Sequence, residues 1–354
     1  MTTGHHSWPD VLSALLARRD LDAEAASWAM GQMMEGIASP VHVAAFLVAL
    51  RAKGETVTEL TAIADEMLAH ACRIQVPGPS LDIVGTGGDR AHTVNISTMA
   101  AITCAAAGAT VVKHGNRAAS SSSGTADVLE SLGINLTLTP DQVVEVAGRA
   151  GMTFCFAMVF HPSMRHVGST RKELAVPTIF NLLGPLTNPA QPEFSAIGVA
   201  DGRLAPLVAG VFAARGKDTA VFHGDDGLDE LTVSTTSQVW WVQDGAVTPF
   251  VVDPVRLGVT PAPLSALRGG DPAHNAGVVR EVFGGATGPI RDAVVLNAGI
   301  ALALMSGGRV SAQSAFESAM RVGMEQASQV LDSGAATDQL DRWRDITQEY
   351  AAPA

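Results

Sequence analysis

The chain has 354 residues and a formal net charge of −12. Hydrophobic residues make up 47% and charged residues 16%, which suits packed cores and excludes general disorder. The acid excess opposes a protein that coats DNA or RNA, which needs a basic stripe, but not a small anionic ligand that senses only the local field.

Residues 1–76 read as a small helical domain. Val11, Leu12, Leu15 and Leu16 form one apolar stripe. A second helix starts near Asp22, carries Ala26, Met30, Met33 and Met34, and stops at Gly36. Ser39 caps a third helix with Pro40 in its first turn, running from Val41 to Lys53 and ending at Gly54. Thr56 or Thr58 opens a fourth, through Met67 to Cys72. The Met and Leu stripes read as core packing.

The character changes at Pro77-Gly78-Pro79. Leu81 to Val84 reads as a buried strand that runs into Gly85-Thr86-Gly87-Gly88-Asp89. A helix from Asn95 to Gly108 follows, then a strand from Ala109 to Lys113 and a helix from Ser123 to Gly133. Strand, glycine-rich turn, helix and strand predict a parallel sheet. The alternation continues with a helix at Pro140–Arg149, a strand at Met152–Phe156, helices from Pro162 to Leu183 and a strand at Phe194–Val199. A helix at Leu204–Ala214 and a strand at Thr219–His223 come next. Glu230–Thr235 and Gln238–Val242 read as β-rich runs. The last third reads as helical, notably Arg291–Met305 and Ala312–Leu331. The expected fold class is α/β: a small all-helical N-terminal domain (1–76) and a larger α/β domain (80–350) with a mostly parallel central sheet. Helices around 165–190 are expected to join the first domain.

Cys72, Cys104 and Cys155 are odd in number and widely spaced, so they make no disulfide framework or CxxC site and are expected as buried, reduced thiols. The segment Met1 to Asp10 lacks the apolar core of a signal peptide, and no apolar run reaches the length of a membrane span, so a cytoplasmic location is expected.

Four segments concentrate chemistry. The turn Gly85 to Asp89 can form an anion nest, although a tight structural turn would look the same. It is not a dinucleotide fingerprint, because Arg90 stands where G-x-G-x-x-G needs glycine. Asn95-Ile96-Ser97-Thr98 can cap a helix or offer its N-terminus to phosphate. Lys113 to Ser121 gathers two fixed cations, an imidazole, an amide and hydroxyls beyond the carboxyl end of a strand, where open α/β sheets bind ligands. Asp225-Asp226-Gly227-Leu228-Asp229-Glu230 places four carboxylates in six residues, a pattern that suits a hard cation such as Mg²⁺ shared with phosphate, or an exposed acidic loop. His161 to His166 with Arg171, Lys172 and Glu173 forms a basic helical stretch from which Arg165 or Arg171 can hold a carboxylate.

Taken in order, these blocks resemble the anthranilate phosphoribosyltransferase family. The resemblance rests on GTGGD at Gly85–Asp89, NIST at Asn95–Thr98 and KHGNRAASS at Lys113–Ser121. It also rests on GTADVLESLG at Gly124–Gly133, FNLLGPLTNPA at Phe180–Ala190 and DDGLDE at Asp225–Glu230. It implies transfer of a phosphoribosyl group from phosphoribosyl pyrophosphate (PRPP) to anthranilate, releasing pyrophosphate, in tryptophan biosynthesis. It further implies a homodimer joined through the helical domain and two Mg²⁺ ions shared with the diphosphate. An anthranilate synthase partner has no signature in the sequence.

The same resemblance assigns residues. Gly85, Gly88, Asp89, Thr93, Asn95, Ile96, Ser97 and Thr98 are expected at PRPP, with Lys113, His114, Gly115, Asn116, Arg117, Ala118, Ala119, Ser120, Ser121 and Thr125. Gly85, Asn116 and Arg171 are expected at anthranilate, and Ser97, Asp229 and Glu230 at the metal. Lys113, Asn116 and Arg171 are the expected catalytic residues. The chain departs from the family pattern at Arg90, where Gly is usual, at Thr125 for Ser, at Met158 for Pro and at Ala175 for Gly. Two other readings share the fold. A pyrimidine nucleoside phosphorylase would carry K-x-S-G-R-G where Lys113-His114-Gly115-Asn116 stands, and a nucleic-acid-binding paralogue should be basic.

Overall fold

The computed structural model describes residues 6–117 and 123–351. Ala118, Ala119, Ser120 and Ser121, expected at PRPP, lie outside the described residues.

Four helices open the chain: α1 (Trp8–Leu16), α2 (Ala23–Met34), α3 (Pro40–Lys53) and α4 (Val57–Ala69). Ser7, Asp22 and Ser39 each accept a hydrogen bond from the backbone N–H three residues on, satisfying a donor that the helix itself leaves unpaired. Thr56, not Thr58, opens α4 through a reciprocal capping box with Glu59. Glu59 is fully buried and also accepts from Leu21 N–H and Lys53 Nζ, each at 2.9 Å, so its charge is paired inside the bundle. Met30, Met33 and Met34 are core residues, packed with Trp8, Phe46, Leu50 and Ile63.

A seven-stranded sheet forms the second layer. Its strands are β1 (Leu81–Gly85), β2 (Val111–Gly115), β3 (Met152–Phe156), β4 (Phe194–Gly198), β5 (Asp218–Gly224), β6 (Ser237–Gln243) and β7 (Ala246–Val252), in the order β3-β2-β1-β4-β5-β6-β7. The first five are parallel and the last two add an antiparallel extension. Between the strands run α5 (Ile96–Ala106), α6 (Thr125–Ser131), α7 (Pro140–Ala150), α8 (Ala157–Phe160), α9 (Arg165–Leu174), α10 (Phe180–Leu186) and α11 (Ala205–Ala214). The chain closes with α12 (Pro272–Phe283), α13 (Pro289–Met305), α14 (Gln313–Asp332) and α15 (Ala335–Gln348).

Neighbouring strand residues face opposite layers, as a pleated strand requires. Ala220 and Trp241 join the apolar cluster of α5 and α13, whereas Val221 and Val242 join the cluster of α11 and the helical bundle. Val167 of α9 and Phe180 and Leu183 of α10 belong to that second cluster.

Three expectations are corrected. Glu230–Thr235 is not a strand. Asn297 on α13 takes the place of a neighbouring strand, accepting from Leu231 N–H at 3.0 Å and donating to Leu231 O at 2.9 Å. The strand β7 was not expected, although Asp244-Gly245, with φ of +52° and +73°, is the two-residue hairpin turn that joins it to β6. Cys72 is exposed, while Cys104 and Cys155 are buried. Among the described residues, no helix is long and apolar enough to cross a membrane.

Candidate active site

The chain builds β1, β2 and β3 outward in one direction, then returns to the other side of β1 for β4 and β5. Diverging loops at such a reversal open a crevice at the carboxyl ends of the strands. A cavity of ≈ 660 Å³ lies there, lined by the loops after β1 and β2, the segment after β5, and α8 to α10.

One end of this cavity is acidic and crowded. Gly87 N–H donates to Asp229 Oδ2 at 2.6 Å, which holds the glycine-rich turn against the segment after β5. A side chain at Gly85 would place its Cβ 2.8 Å from Asp229 Cγ, so only glycine fits that approach. Gly87 and Gly88 sit at φ of +68° and +89°. Burial, then the charge of Asp89, raises Asp229 to about 7, and burial with Asp229 pushes Glu230 well up.

Asn95 stands at the cap position of α5 but does not cap it. Its Oδ1 accepts from Asn275 Nδ2 at 2.9 Å and its Nδ2 donates to Ser123 O at 3.3 Å. The first turn of α5 is instead closed by its own backbone, with Ile96 N–H donating to Val94 O at 2.8 Å and Thr98 N–H to Asn95 O at 3.1 Å, while Ser97 N–H interacts with Glu230. Lys113 is enclosed beneath this end. Its Nζ donates to Ile83 O and, at 3.3 Å, to Ser97 Oγ, and it faces Asp82, Glu230 and Asp229. Burial lowers the Lys113 ammonium and raises Asp82 to about 6, since both charges have lost water.

Only half of the acidic motif faces the cavity. Asp225 accepts from Thr236 Oγ1 and Gln238 Nε2, and Asp226 accepts from Thr232 Oγ1 and Ser234 Oγ. These bonds turn both carboxylates away and answer the repulsion that the sequence poses. Asp229 and Glu230 remain at the cavity wall with Asp89.

The other end is lined mainly by apolar residues, with Arg165 and Arg171 as its cations. His114 and His161 meet at 5.1 Å between ring centroids, tilted by 51°, and His114 Nδ1 pairs with Gly184 O of α10 at 2.9 Å. Burial lowers His114 to about 3 and His161 to about 4, so both are neutral imidazoles. Arg171 lies over the Phe180 ring, 4.7 Å from its centroid, with no carboxylate partner among the described residues. Met158, Pro162, Met164 and Gly168 complete this wall. Asn188, after α10, donates to Asp82 Oδ2 and Val112 O, each at 2.8 Å, and so pins this region to β1 and β2.

Fourteen of the expected site residues line the cavity: Gly85, Gly88, Asp89, Thr93, Asn95, Ser97, His114, Gly115, Asn116, Arg117, Thr125, Arg171, Asp229 and Glu230. Ile96, Thr98 and Lys113 do not. Ile96 and Thr98 are buried behind the first turn of α5, and only their backbone belongs to the helix N-terminus. Arg117 reaches the wall but spends its charge elsewhere, on Glu130 at 2.5 and 2.7 Å and Asp127 at 3.1 Å. His161 and Phe180 were not assigned a role from sequence. The run His161-Pro162-Ser163-Met164-Arg165-His166 was the only signal for the former.

Two sequence signatures match the chain. The helical bundle domain of the Glycosyl transferase family covers residues 9–71, and the a/b domain of that family covers residues 78–337. An anthranilate phosphoribosyltransferase of Nocardioides sp. is 58% identical over 95% of this chain and 98% of its own length. The chain belongs to the anthranilate phosphoribosyltransferase family. Another member, from Thermobifida fusca, is 54% identical over 98% of both chains. The crystal structure of the Thermus thermophilus anthranilate phosphoribosyltransferase superposes with a TM-score of 0.88 at 40% identity, covering 96% of this chain and 99% of the other. The Saccharomyces cerevisiae member, described in complex with PRPP and Mg, superposes with a TM-score of 0.87 at 28% identity, covering 98% and 99%.

Proposed function

We infer that this cavity carries out the family reaction, transfer of the phosphoribosyl group of PRPP to the amine of anthranilate in tryptophan biosynthesis. The observation that carries this reading is the division of one cavity into a phosphate-suited end and an aromatic-suited end. The glycine-rich turn presents backbone N–H groups, and the N-terminus of α5 its positive dipole end, to a diphosphate. Arg171, lying on Phe180 and without a carboxylate partner among the described residues, suits the carboxylate of an aromatic acid, and the neutral His114–His161 pair offers it an uncharged aromatic wall. Asn116, which also lines the cavity, is the group that holds the acceptor near the sugar.

The donor set fits Mg²⁺. Asp229, Glu230 and Ser97 Oγ supply hard oxygens, and the buried carboxylates have more negative charge than Lys113 alone neutralises. Among the described residues, no cluster of three or more His, Cys, Asp or Glu forms a ready cage. That agrees with an ion that keeps waters and shares substrate phosphates. Bound there, Mg²⁺ would neutralise the charge of the leaving diphosphate.

The protein's own part is positioning and electrostatics. As the C1–O bond to diphosphate breaks, positive charge develops on the ribosyl centre, and the acceptor nitrogen forms the new C1–N bond from the opposite face. The aromatic amine is a weak base and reaches the site neutral, so no strong base or covalent intermediate is needed. Lys113 acts from beneath, holding Ser97 and offsetting Asp229 and Glu230.

We also place the homodimer contact on α3. Val41 and Val48 of α3 and Ile37 just before it are exposed, and Val48 shares a shallow apolar hollow with Val176 and Pro177. Loss of anthranilate fluorescence in the presence of PRPP and Mg²⁺ tests the reaction. Folded protein without turnover would sink it.

A further inference from the structure

We propose that Arg90 captures a phosphate group of PRPP at the cavity mouth and sets this chain's affinity for that substrate. The inference rests on the functional reading above and follows from where positive charge is free. The phosphate-suited end is lined by three carboxylates, Asp89, Asp229 and Glu230, in a chain of net charge −12. An incoming polyphosphate therefore meets repulsion unless a cation answers it.

The other cations at or beneath this end are committed, and Arg268, whose backbone bridges to Thr93, does not line the cavity. Lys113 is enclosed, faces Asp82, Glu230 and Asp229, and does not line the cavity. Arg117 is held by Glu130 and Asp127 and lies over the Phe156 ring. Arg165 and Arg171 belong to α9, at the acceptor end. Residues 118–122 are alanines and serines and bring no cation. Among the arginines and lysines of the described residues, Arg90 alone lines this end, is exposed, and has neither a hydrogen bond nor an ion pair. Its guanidinium presents a planar fork of donors that matches phosphate oxygens.

The backbone points the same way. Arg90 sits at φ +61°, and His92 two residues on at +54°, in a turn whose Gly87 and Gly88 are also left-handed. Glycine adopts this conformation without the penalty that a Cβ brings. A long cationic side chain is thus carried where local stability favours none.

The test is calorimetric titration of PRPP with Mg²⁺ into wild type, R90G and R90K, beside thermal melts and the anthranilate fluorescence assay. R90G should bind PRPP about tenfold more weakly at low ionic strength, with the gap closing at high salt. R90K should recover part of the loss, the anthranilate KM should stay in place, and the R90G melting temperature should hold or rise. Titrations with pyrophosphate and with ribose 5-phosphate tell which phosphate Arg90 meets, and a loss confined to either one supports the proposal. PRPP affinity within about twofold of wild type at low ionic strength overturns it, since one charge-assisted contact is worth more than that. A lower melting temperature in R90G also overturns it, by making Arg90 a structural residue. Wild type that binds PRPP but leaves anthranilate unconsumed defeats the functional reading instead, and the R90G binding ratio still decides the role of Arg90.

Discussion

The two ends of the cavity solve opposite electrostatic problems with opposite means. At the phosphate-suited end Asp229, Glu230 and Lys113 lie within one another's fields, so the charge on each depends on the rest. At the acceptor end the cations are Arg165 and Arg171, the latter over an aromatic ring, near two imidazoles that burial keeps neutral. A leaving group with several charges needs a coupled set that changes with it. An acceptor with one carboxylate needs a cationic partner and an uncharged wall. Substitutions should therefore act as a unit at the first end and separately at the second.

The largest effect is expected from Asp229→Ala combined with Glu230→Ala. Turnover at saturating magnesium should fall by about 10³-fold or more, because transition-state charge stabilisation is lost. The fold should survive, since two buried like charges are relieved. Either single variant should cost nearly as much as the pair, and additive single effects would break the claim of a coupled unit. Arg171→Ala comes next. It removes one charge-assisted pair and should raise the anthranilate KM by about 10- to 100-fold while the PRPP KM stays near wild type. A change confined to PRPP would show that the two ends have been assigned the wrong way round.

Stability against pH, measured with a chelator present, separates the ends by sign. His114 and His161 ionise in the folded chain near 3 and 4 rather than 6.5, so the unfolded chain takes up protons first as pH falls. Their contribution is present above 6.5 and is lost as pH falls toward 4. Asp229 runs the other way, raised from 3.8 to about 7. Its contribution is intact below 3.8 and is lost as pH rises through about 7. Relative to wild type, His161→Gln should gain stability as pH falls, and Asp229→Asn should gain as pH rises, each on the order of 2 kcal/mol. Parallel curves for the three proteins would remove the contrast. Met158→Ala should do least. Its side chain is 66% exposed, so kcat/KM for anthranilate should stay within about threefold, with the clearest change in the ranking of ring-substituted acceptors.

The regions differ also in how well they could be read beforehand. The glycine-rich turn and the acidic motif were visible as strings, because each is a contiguous segment whose backbone conformation follows from its own residues. Which carboxylates of the motif face the cavity was not visible. That depends on Thr232, Ser234, Thr236 and Gln238 turning Asp225 and Asp226 aside. His161 was seen only as part of a basic stretch, because its neutral state comes from burial beside His114 on a different strand segment. The hairpin to β7 was a different kind of miss. Asp244-Gly245 is a local turn signal, and it was passed over between a strand and an exposed apolar run.

By itself the sequence determined the start of α2 and the cap of α3, the alternation of strands and helices, the glycine-rich nest and the family. All of these rest on interactions between residues close along the chain, or on residue identity alone. Tertiary structure decided which charges are free. Lys113 and Arg117 read as ligands in the string, yet one is enclosed among carboxylates and the other is paired on α6. Arg90, which read as a departure from pattern, is left unpaired at the mouth. The charge that a side chain can offer a ligand depends on its water and its neighbours through space, and a linear sequence states neither.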